Sequence, residues 1–379
     1  MDRRHFLSTL ALTSACSARR TRIQAPAAPL TVPRLAPVNV AKERIIRTIT
    51  GLRPYRPSGF VVRTESIEGK TIVHNYGHGG GGVTLSWGSA HLAVEQALPT
   101  NSRRMAVLGS GAVGLATARL LQEHGVEVTI YAKDLPPGTT SNIAGAQVFP
   151  VTVFERDSAT PAFLAQFVEA ARFSYRRYQL MLGDYYGIRW LPNYMLDREP
   201  LPESGLSSKQ SPIADLLPEL RDLSKDEHPF AFPYVRRFDT MFIQPAVYLE
   251  SILREFRIAG GTVLVREMRS LREVLDLPQS VIVNCTGLGA KALFNDSELT
   301  PVKGQLTFLL PQPEVEYATL PPGGLYMFPR RDGVLLGGTH ERGNWDLTPD
   351  PDAEARILAT HAEIFRSMRP SLTYPPLPS

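Results

Sequence analysis

Residues 105–130 read MAVLGSGAVGLATARLLQEHGVEVTI, and this stretch decides the fold. Met105 to Leu108 form a short continuous apolar run of the kind that fills a buried strand. Gly109-Ser110-Gly111-Ala112-Val113-Gly114 follows as a tight turn with Gly-x-Gly-x-x-Gly spacing. Val113, Thr117, Leu120 and Leu121 then mark one face of a helix. Gly125 stands where a C-cap belongs, and Val126, Val128 and Ile130 alternate as a second strand. Strand, glycine turn, helix and strand within about 30 residues make half of a nucleotide-binding α/β unit. The glycines let the turn tighten, the backbone approach a pyrophosphate and the helix pack on the strand, while free N–H groups at the helix N-terminus face the phosphates. Such a motif alone says little, but here the strand before it and the helix after it are both legible, which is the context that confirms it.

Working outward, the second strand ends in Tyr131-Ala132-Lys133-Asp134. An acidic residue should hold the ribose hydroxyls at this point. Asp134 comes slightly late; it is either that ligand or one half of a solvated Lys133–Asp134 turn pair. Thr139-Thr140-Ser141-Asn142-Ile143-Ala144-Gly145-Ala146 offers small hydroxyl residues and glycines that can wrap a phosphate or a ring system, which a plain NAD site does not need. Upstream, two short strands around Glu68-Gly69-Lys70 lead into a second glycine turn, Gly77-His78-Gly79-Gly80-Gly81-Gly82. Val83, Trp87, Ala90, Val94 and Ala97 then recur at helical spacing. The N-terminus of that helix is a second positive dipole end, suited to negative charge on a reduced flavin; the alternative is a flexible loop.

Composition narrows the class. The 379 residues carry a net charge of +4, 43% hydrophobic and 21% charged residues, with no run of five like charges, so a nucleic-acid role has no electrostatic footprint. No apolar run reaches the roughly 18 residues needed to span a bilayer. The only cysteines are Cys16 and Cys285, so no internal disulfide is expected once the N-terminus is processed. Asp2-Arg3-Arg4-His5-Phe6-Leu7, followed by a short apolar stretch and Ala15-Cys16-Ser17-Ala18, resembles a bacterial twin-arginine export signal. Cleavage near Ala18 and lipid attachment at Cys16 are both open, and the product is periplasmic, extracellular or lipid-anchored. Residues 19–44, rich in Pro, Ala and Arg, read as a flexible linker, and residues 198–229 as a surface excursion.

Several motifs taken together resemble the D-amino-acid oxidase family, which includes D-aspartate oxidase. They are Gly51-Leu52-Arg53-Pro54-Tyr55-Arg56-Pro57, the run His74 to Gly88, Thr139-Thr140-Ser141, Asn284-Cys285-Thr286-Gly287, Pro301-Val302-Lys303-Gly304-Gln305, and Leu336-Gly337-Gly338-Thr339 with Gly343-Asn344-Trp345. Residues 42 to 98 resemble the C-terminal part of that family yet precede the nucleotide motif, so the resemblance implies a circular permutation. Residues 98–104 then bridge two former ends, turning them into a strand–helix–strand crossover, and the new ends fall in a former loop.

The resemblance implies an α/β and α+β protein: a Rossmann-like FAD-binding domain interwoven with a mixed-sheet substrate-binding domain. The expected boundaries are an export signal at 1–18, the linker at 19–44, an FAD-binding domain from 71–150, 260–300 and 331–343, and a substrate-binding domain from 45–70, 151–259, 301–330 and 344–379. It implies FAD, held by Gly109, Ser110, Gly111, Val113 and Gly114 at the pyrophosphate. Lys133 and Asp134 fall at the ribose, followed by Thr139, Thr140, Ser141, Gly145 and Ala146. Met268 and Thr286 make further contacts, and Gly79, Gly80, Gly81, Gly82, Val83 and Thr84 meet the flavin. Arg53 matches the arginine that forks onto a substrate carboxylate, Tyr326 a tyrosine reaching the same group, and Gly80 the glycine whose carbonyl receives the substrate amine.

The implied reaction is oxidation of a D-amino acid by hydride transfer from Cα to flavin N5, with dioxygen as final acceptor and a 2-oxo acid, ammonia and hydrogen peroxide as products. No metal is implied, and the motifs do not bear on oligomeric state. Two positions depart from the animal enzymes: Pro322 stands where they carry a second tyrosine, and Phe149 where they carry a polar residue. An acidic substrate needs a further cation; Arg330, Arg331 and Arg342 are at hand but read as solvated surface charges. Rival readings are a flavin oxidase or dehydrogenase of glycine or other amines, a non-catalytic FAD-binding protein, and an NAD-dependent dehydrogenase, which the second glycine turn disfavours.

Overall fold

Apolar runs four to five residues long, each leading into a glycine turn or a loop, assemble a parallel sheet because only strands covered on both faces can be so uniformly hydrophobic. The computed structural model describes residues 34–369. The segment expected to be an export signal (1–18), the first part of the expected linker and residues 370–379 lie outside the described residues.

Fifteen strands are present among the described residues: β1 (Ile45–Tyr55), β2 (Val61–Ile67), β3 (Lys70–Tyr76), β4 (Arg104–Leu108), β5 (Glu127–Ala132), β6 (Ile188–Asp197), β7 (Arg221–Leu223), β8 (Tyr234–Ile243), β9 (Thr262–Val265), β10 (Val281–Asn284), β11 (Thr300–Leu309), β12 (Ala318–Leu320), β13 (Tyr326–Arg330), β14 (Gly333–Gly337) and β15 (Glu341–Arg342). The helices are α1 (Ser86–Ala97), α2 (Ala112–Glu123), α3 (Thr140–Ile143), α4 (Pro161–Gln179), α5 (Pro245–Ile258), α6 (Leu271–Leu275), α7 (Ala290–Leu293) and α8 (Pro351–Arg366).

The smaller sheet has the order β2-β3-β10-β4-β5-β9, parallel except for the edge strand β2, which pairs antiparallel with β3. The chain passes from β4 through α2 to its neighbour β5. It passes from β3 through α1 to β4 over the intervening β10. The periodic residues of the two helices fill one core: Trp87, Ala90, Val94 and Ala97 of α1 and Leu115, Leu120 and Leu121 of α2 are buried together. The turn at Glu68-Gly69 has positive φ at both residues, and Gly125 ends α2 with φ of +76°. The larger sheet has nine strands in the order β1-β11-β14-β13-β12-β6-β8-β7, with β15 also paired to β11. One of its two longest pairings, β1 with β11, joins segments some 250 residues apart in the chain.

Several expectations need correcting. Residues 34–44 are not a free linker: Val38 is buried, the Tyr317 hydroxyl donates to the Ala36 carbonyl, and the Gln312 side-chain amide accepts from the Asn39 backbone N–H and donates to its carbonyl. Residues 198–229 are more than a surface excursion, since β7 extends the larger sheet and Ile213, Leu217 and Leu223 are buried. The expected boundaries also shift. Strand β2, placed with the substrate-binding part, belongs to the smaller sheet, and β14, placed with the FAD-binding part, belongs to the larger one. The reason is the same in each case: sheet membership is fixed by partners distant in sequence, which no local pattern reports. No helix among the described residues is long and apolar enough to cross a membrane.

Candidate functional site

A cavity of about 970 Å³ opens where β3, β4, β5 and β10 of the smaller sheet end at their C-terminal edge, and β1, β11 and β13 of the larger sheet form its other wall. The C-terminal edge of a parallel sheet is where ligands bind in open α/β folds, because the loops there splay apart. Both glycine turns line it: Gly79, Gly80, Gly82, Val83 and Thr84 on one side, and Gly109, Ser110, Gly111 and Val113 on the other. The structure therefore brings two separate sequence motifs to one ligand space. Lys133, Asp134, Thr139, Thr140, Ser141, Gly145, Ala146, Met268 and Thr286 line it as well, as do Arg53 and Tyr326.

Two expected contacts do not reach the cavity. Gly81 and Gly114 turn inward: a β-carbon on Gly81 would stand 2.6 Å from Val153, and one on Gly114 2.1 Å from the Gly109 carbonyl. Their role is close packing behind the turns. Helix α1 also starts later than expected, at Ser86, and the segment facing the cavity is a single 3₁₀ turn at Gly79–Gly81.

The nucleotide side is built for a group that needs many backbone contacts. Gly109 has φ of +102° and lies under the Cys285 carbonyl, so a β-carbon there would come within 2.6 Å of that oxygen. The Ser141 hydroxyl accepts from the Ala112 N–H at 3.0 Å and so caps the start of α2. The Ser110 hydroxyl donates to the Asp134 carbonyl at 2.5 Å, tying the glycine turn to the end of β5. Lys133 pairs with Glu267 at 3.3 Å at the outer end, and the Asp134 carboxylate is exposed without an ion pair among the described residues. Burial pushes the free thiol of Cys285 up to about 12, so it stays protonated beside the turn.

The other end of the cavity has a different character. Arg53 and Arg56 lie three residues apart on one segment. Arg56 is saturated: Nε donates to Asp296 at 2.9 Å and Nη2 to Glu298 at 2.6 Å. Arg53 meets no carboxylate among the described residues. Its Nη1 donates to the Thr339 carbonyl at 3.3 Å and its Nη2 to the Tyr326 hydroxyl oxygen at 3.4 Å, both longer than ordinary N–H···O bonds. Gly304 on β11 makes room for the guanidinium; a β-carbon there would stand 2.4 Å from Nη1. A half-buried guanidinium held only by neutral oxygens is a site for an anion.

The walls around it are apolar, with Phe149, Leu306, Leu320, Pro322 and Phe328 in the lining. Tyr326 is not a plain core tyrosine: it is half-buried, stacked on Phe328 at 4.8 Å, with its hydroxyl at Arg53. The three further arginines are all engaged elsewhere. Arg330 is buried and pairs with Asp332 at 2.8 Å, which corrects its reading as a surface charge, while Arg331 pairs with Asp184 and Arg342 with Glu155 at the surface.

Sequence reading missed two residues of the site. His340 lines the cavity next to Thr339, and burial, then the Arg53 and Arg342 charges, hold its pKa below the ordinary value. Its place directly after the Leu336-to-Thr339 motif could have flagged it. Thr152 lines the cavity too, with φ of +53°, and no local signal announces it.

The residues fit FAD. The cavity runs continuously from the Gly109 turn to the Gly80 turn. Two fully buried polar atoms of its lining residues, Asn75 Oδ1 and His78 Nε2, have no protein partner. Burial pushes His78 down to about 3, so its ring is neutral at physiological pH and can present a lone pair or an N–H to a bound group without charge.

Comparison with known proteins agrees with this geometry. The profile of the FAD dependent oxidoreductase family matches residues 16–96 and 104–375. A D-amino-acid oxidase of Rubrobacter xylanophilus is 30% identical over 259 residues, covering 67% of this chain and 75% of that protein. The human D-aspartate oxidase is 28% identical over 265 residues, covering 68% and 75%. Among solved structures, glycine oxidase from Geobacillus kaustophilus is similar in fold, with a TM-score of 0.52 at 15% identity over 71% of this chain and 80% of that one.

Proposed function

The chain belongs to the FAD dependent oxidoreductase family, with FAD as its cofactor, and from that premise we propose that it oxidises D-amino acids to 2-oxo acids, ammonia and hydrogen peroxide. The observation that carries the reading is the contrast on one segment between Arg56, which holds two carboxylates, and Arg53, which holds none and faces the cavity.

Bound FAD supplies the acceptor for the electron pair that leaves the substrate. The residues supply position. The Arg53 fork takes the substrate carboxylate. Because Arg53 donates to the Tyr326 oxygen, the Tyr326 proton is free to point at that same carboxylate. The carbonyl of Gly80, on the opposite turn, receives the substrate amine. A carboxylate and an amine fixed at two points leave the Cα hydrogen one direction to face, and orientation of this kind replaces a side-chain base. The neighbouring apolar wall and the engagement of Arg330, Arg331 and Arg342 with protein carboxylates favour a neutral substrate side chain.

Chain order and export complete the proposal. The crossover β3–α1–β4 and the break in the family match between residues 96 and 104 support a circular permutation joined at residues 98–104. Arg3-Arg4 supports export by a twin-arginine route; replacing both with lysine should leave the protein in the cytoplasm of a bacterial host, and unchanged export would remove that reading. The activity is tested by supplying D-alanine, D-aspartate, L-alanine, glycine and N-methylglycine under air and measuring peroxide and ammonia. The expected order puts D-alanine first. Peroxide from glycine or N-methylglycine with none from D-alanine would replace the proposal with an amine oxidase of other substrates.

A further inference from the structure

We propose that the protein has a second binding site, for an amphipathic carboxylate with an aliphatic or aromatic body, which adjoins the FAD cavity through Thr152. A cleft of about 1160 Å³ lies between α4, the middle of α1 at His91 and the loop at residues 204–212. That volume suits a small organic molecule. Its floor is apolar, with Phe154, Leu164, Phe167 and Leu206, and Leu164 remains 40% exposed. Three arginines and one carboxylate, Glu169, stand around that floor. Arg172 is bonded by both Nη atoms to Asp215, but Arg156 and Arg176 make no ion pair among the described residues. Two unengaged guanidinium groups beside an exposed apolar floor complement a molecule with one anionic end and one apolar body.

The wall between the two cavities is thin. Thr152 lines both. Its carbonyl accepts from the Gly80 N–H at 3.1 Å. β-Carbons built on Gly79 and Gly80 would stand 2.2 and 2.1 Å from its backbone and hydroxyl oxygens, so the flavin-side turn is packed directly on Thr152. A ligand in the cleft therefore presses on the residue that sets the position of Gly80. The inference rests on the reading of that turn as the FAD-facing one, but its test does not need turnover.

The test titrates decanoate into the FAD-loaded protein by calorimetry while following the flavin absorbance. Expected are saturable one-to-one binding, a change in the flavin spectrum, and at least about tenfold weaker binding of decanol. The double variant Arg156→Glu/Arg176→Glu should weaken decanoate by about tenfold or more while keeping the flavin content and the activity without decanoate unchanged. Arg53→Ala should bind decanoate normally. Absence of saturable binding, or binding unaffected by the double variant, overturns the site. Loss of binding in Arg53→Ala also overturns it, because decanoate would then occupy the substrate end of the main cavity. Binding without any flavin perturbation overturns the coupling through Thr152. A protein that holds decanoate as described but oxidises no D-amino acid would sink the proposed function and leave this site standing.

Discussion

The smaller sheet and the larger sheet meet at one cavity but are specified in opposite ways. The smaller sheet brings β4, α2 and β5 together from 29 consecutive residues, Arg104 to Ala132, and what it offers the cavity is largely the backbone of a turn. The larger sheet pairs β1 with β11 across most of the chain, and what it offers the cavity are side chains, Arg53 and Tyr326, that meet only after that pairing forms. On the proposed function, the difference separates binding of the cofactor from binding of the substrate. Damage on the smaller-sheet side should remove both, whereas damage on the larger-sheet side should remove the second alone.

The largest effect should come from Gly109→Val. A β-branched residue at φ of +102°, under the Cys285 carbonyl, is strained whatever the surrounding space. Purified protein should lack flavin absorbance; a variant that keeps its full flavin content would show that this turn does not hold the cofactor. Next, Arg53→Ala should raise KM for D-alanine by about 100-fold or more, the usual consequence of removing one partner of a charge-assisted fork, with flavin content unchanged. Arg56→Ala should do the reverse. It removes the cation from Asp296 and Glu298, which keep only the Tyr76 hydroxyl and backbone N–H groups as donors, and should lower stability by about 3 kcal/mol in denaturant unfolding. If the two arginine variants behave alike, the contrast between them is wrong.

Tyr326→Phe should be milder, about five- to tenfold in kcat/KM, because one neutral hydroxyl is lost beside a retained guanidinium. The effect that is smallest at neutral pH concerns two buried histidines, one on each side. Burial lowers His78 to about 3 and His361, which lies on α8 against the Gly337 carbonyl, to about 4. Both folded-state values lie below the unfolded value near 6.5, so the unfolded chain takes up the proton first as pH falls. Each histidine then costs stability progressively from about pH 6.5 down to its own folded value, at most about 1.4 kcal/mol per pH unit. His361→Leu should flatten the fall of Tm between pH 6.5 and 4 without touching the flavin spectrum. An unchanged slope would mean that His361 titrates normally.

The same contrast explains what could be read without coordinates. Val113, Thr117, Leu120 and Leu121 announced α2, and Trp87, Ala90, Val94 and Ala97 announced α1, because helical spacing is a local property. The membership of β2 and β14, the packing of Val38 and the approach of Thr152 to Gly80 depend on partners remote in sequence, and no spacing encodes them. Arg53 and Tyr326 were found by resemblance; the page of residues alone shows an arginine in a proline-rich segment and a tyrosine in an apolar run. Arg330 was misread for a related reason: Asp332 stands two residues away, but only the fold buries the pair.

The central claim is that a carboxylate held by Arg53 places a D-amino acid against the cofactor. Anaerobic mixing of the FAD-loaded protein with D-alanine or L-alanine, for the natural sequence and for Arg53→Ala, reads this directly in the flavin absorbance. The account predicts rapid bleaching by D-alanine only, and a flavin that stays yellow in Arg53→Ala at the same concentration. Equal bleaching of both proteins, or bleaching by L-alanine and not by D-alanine, would contradict it.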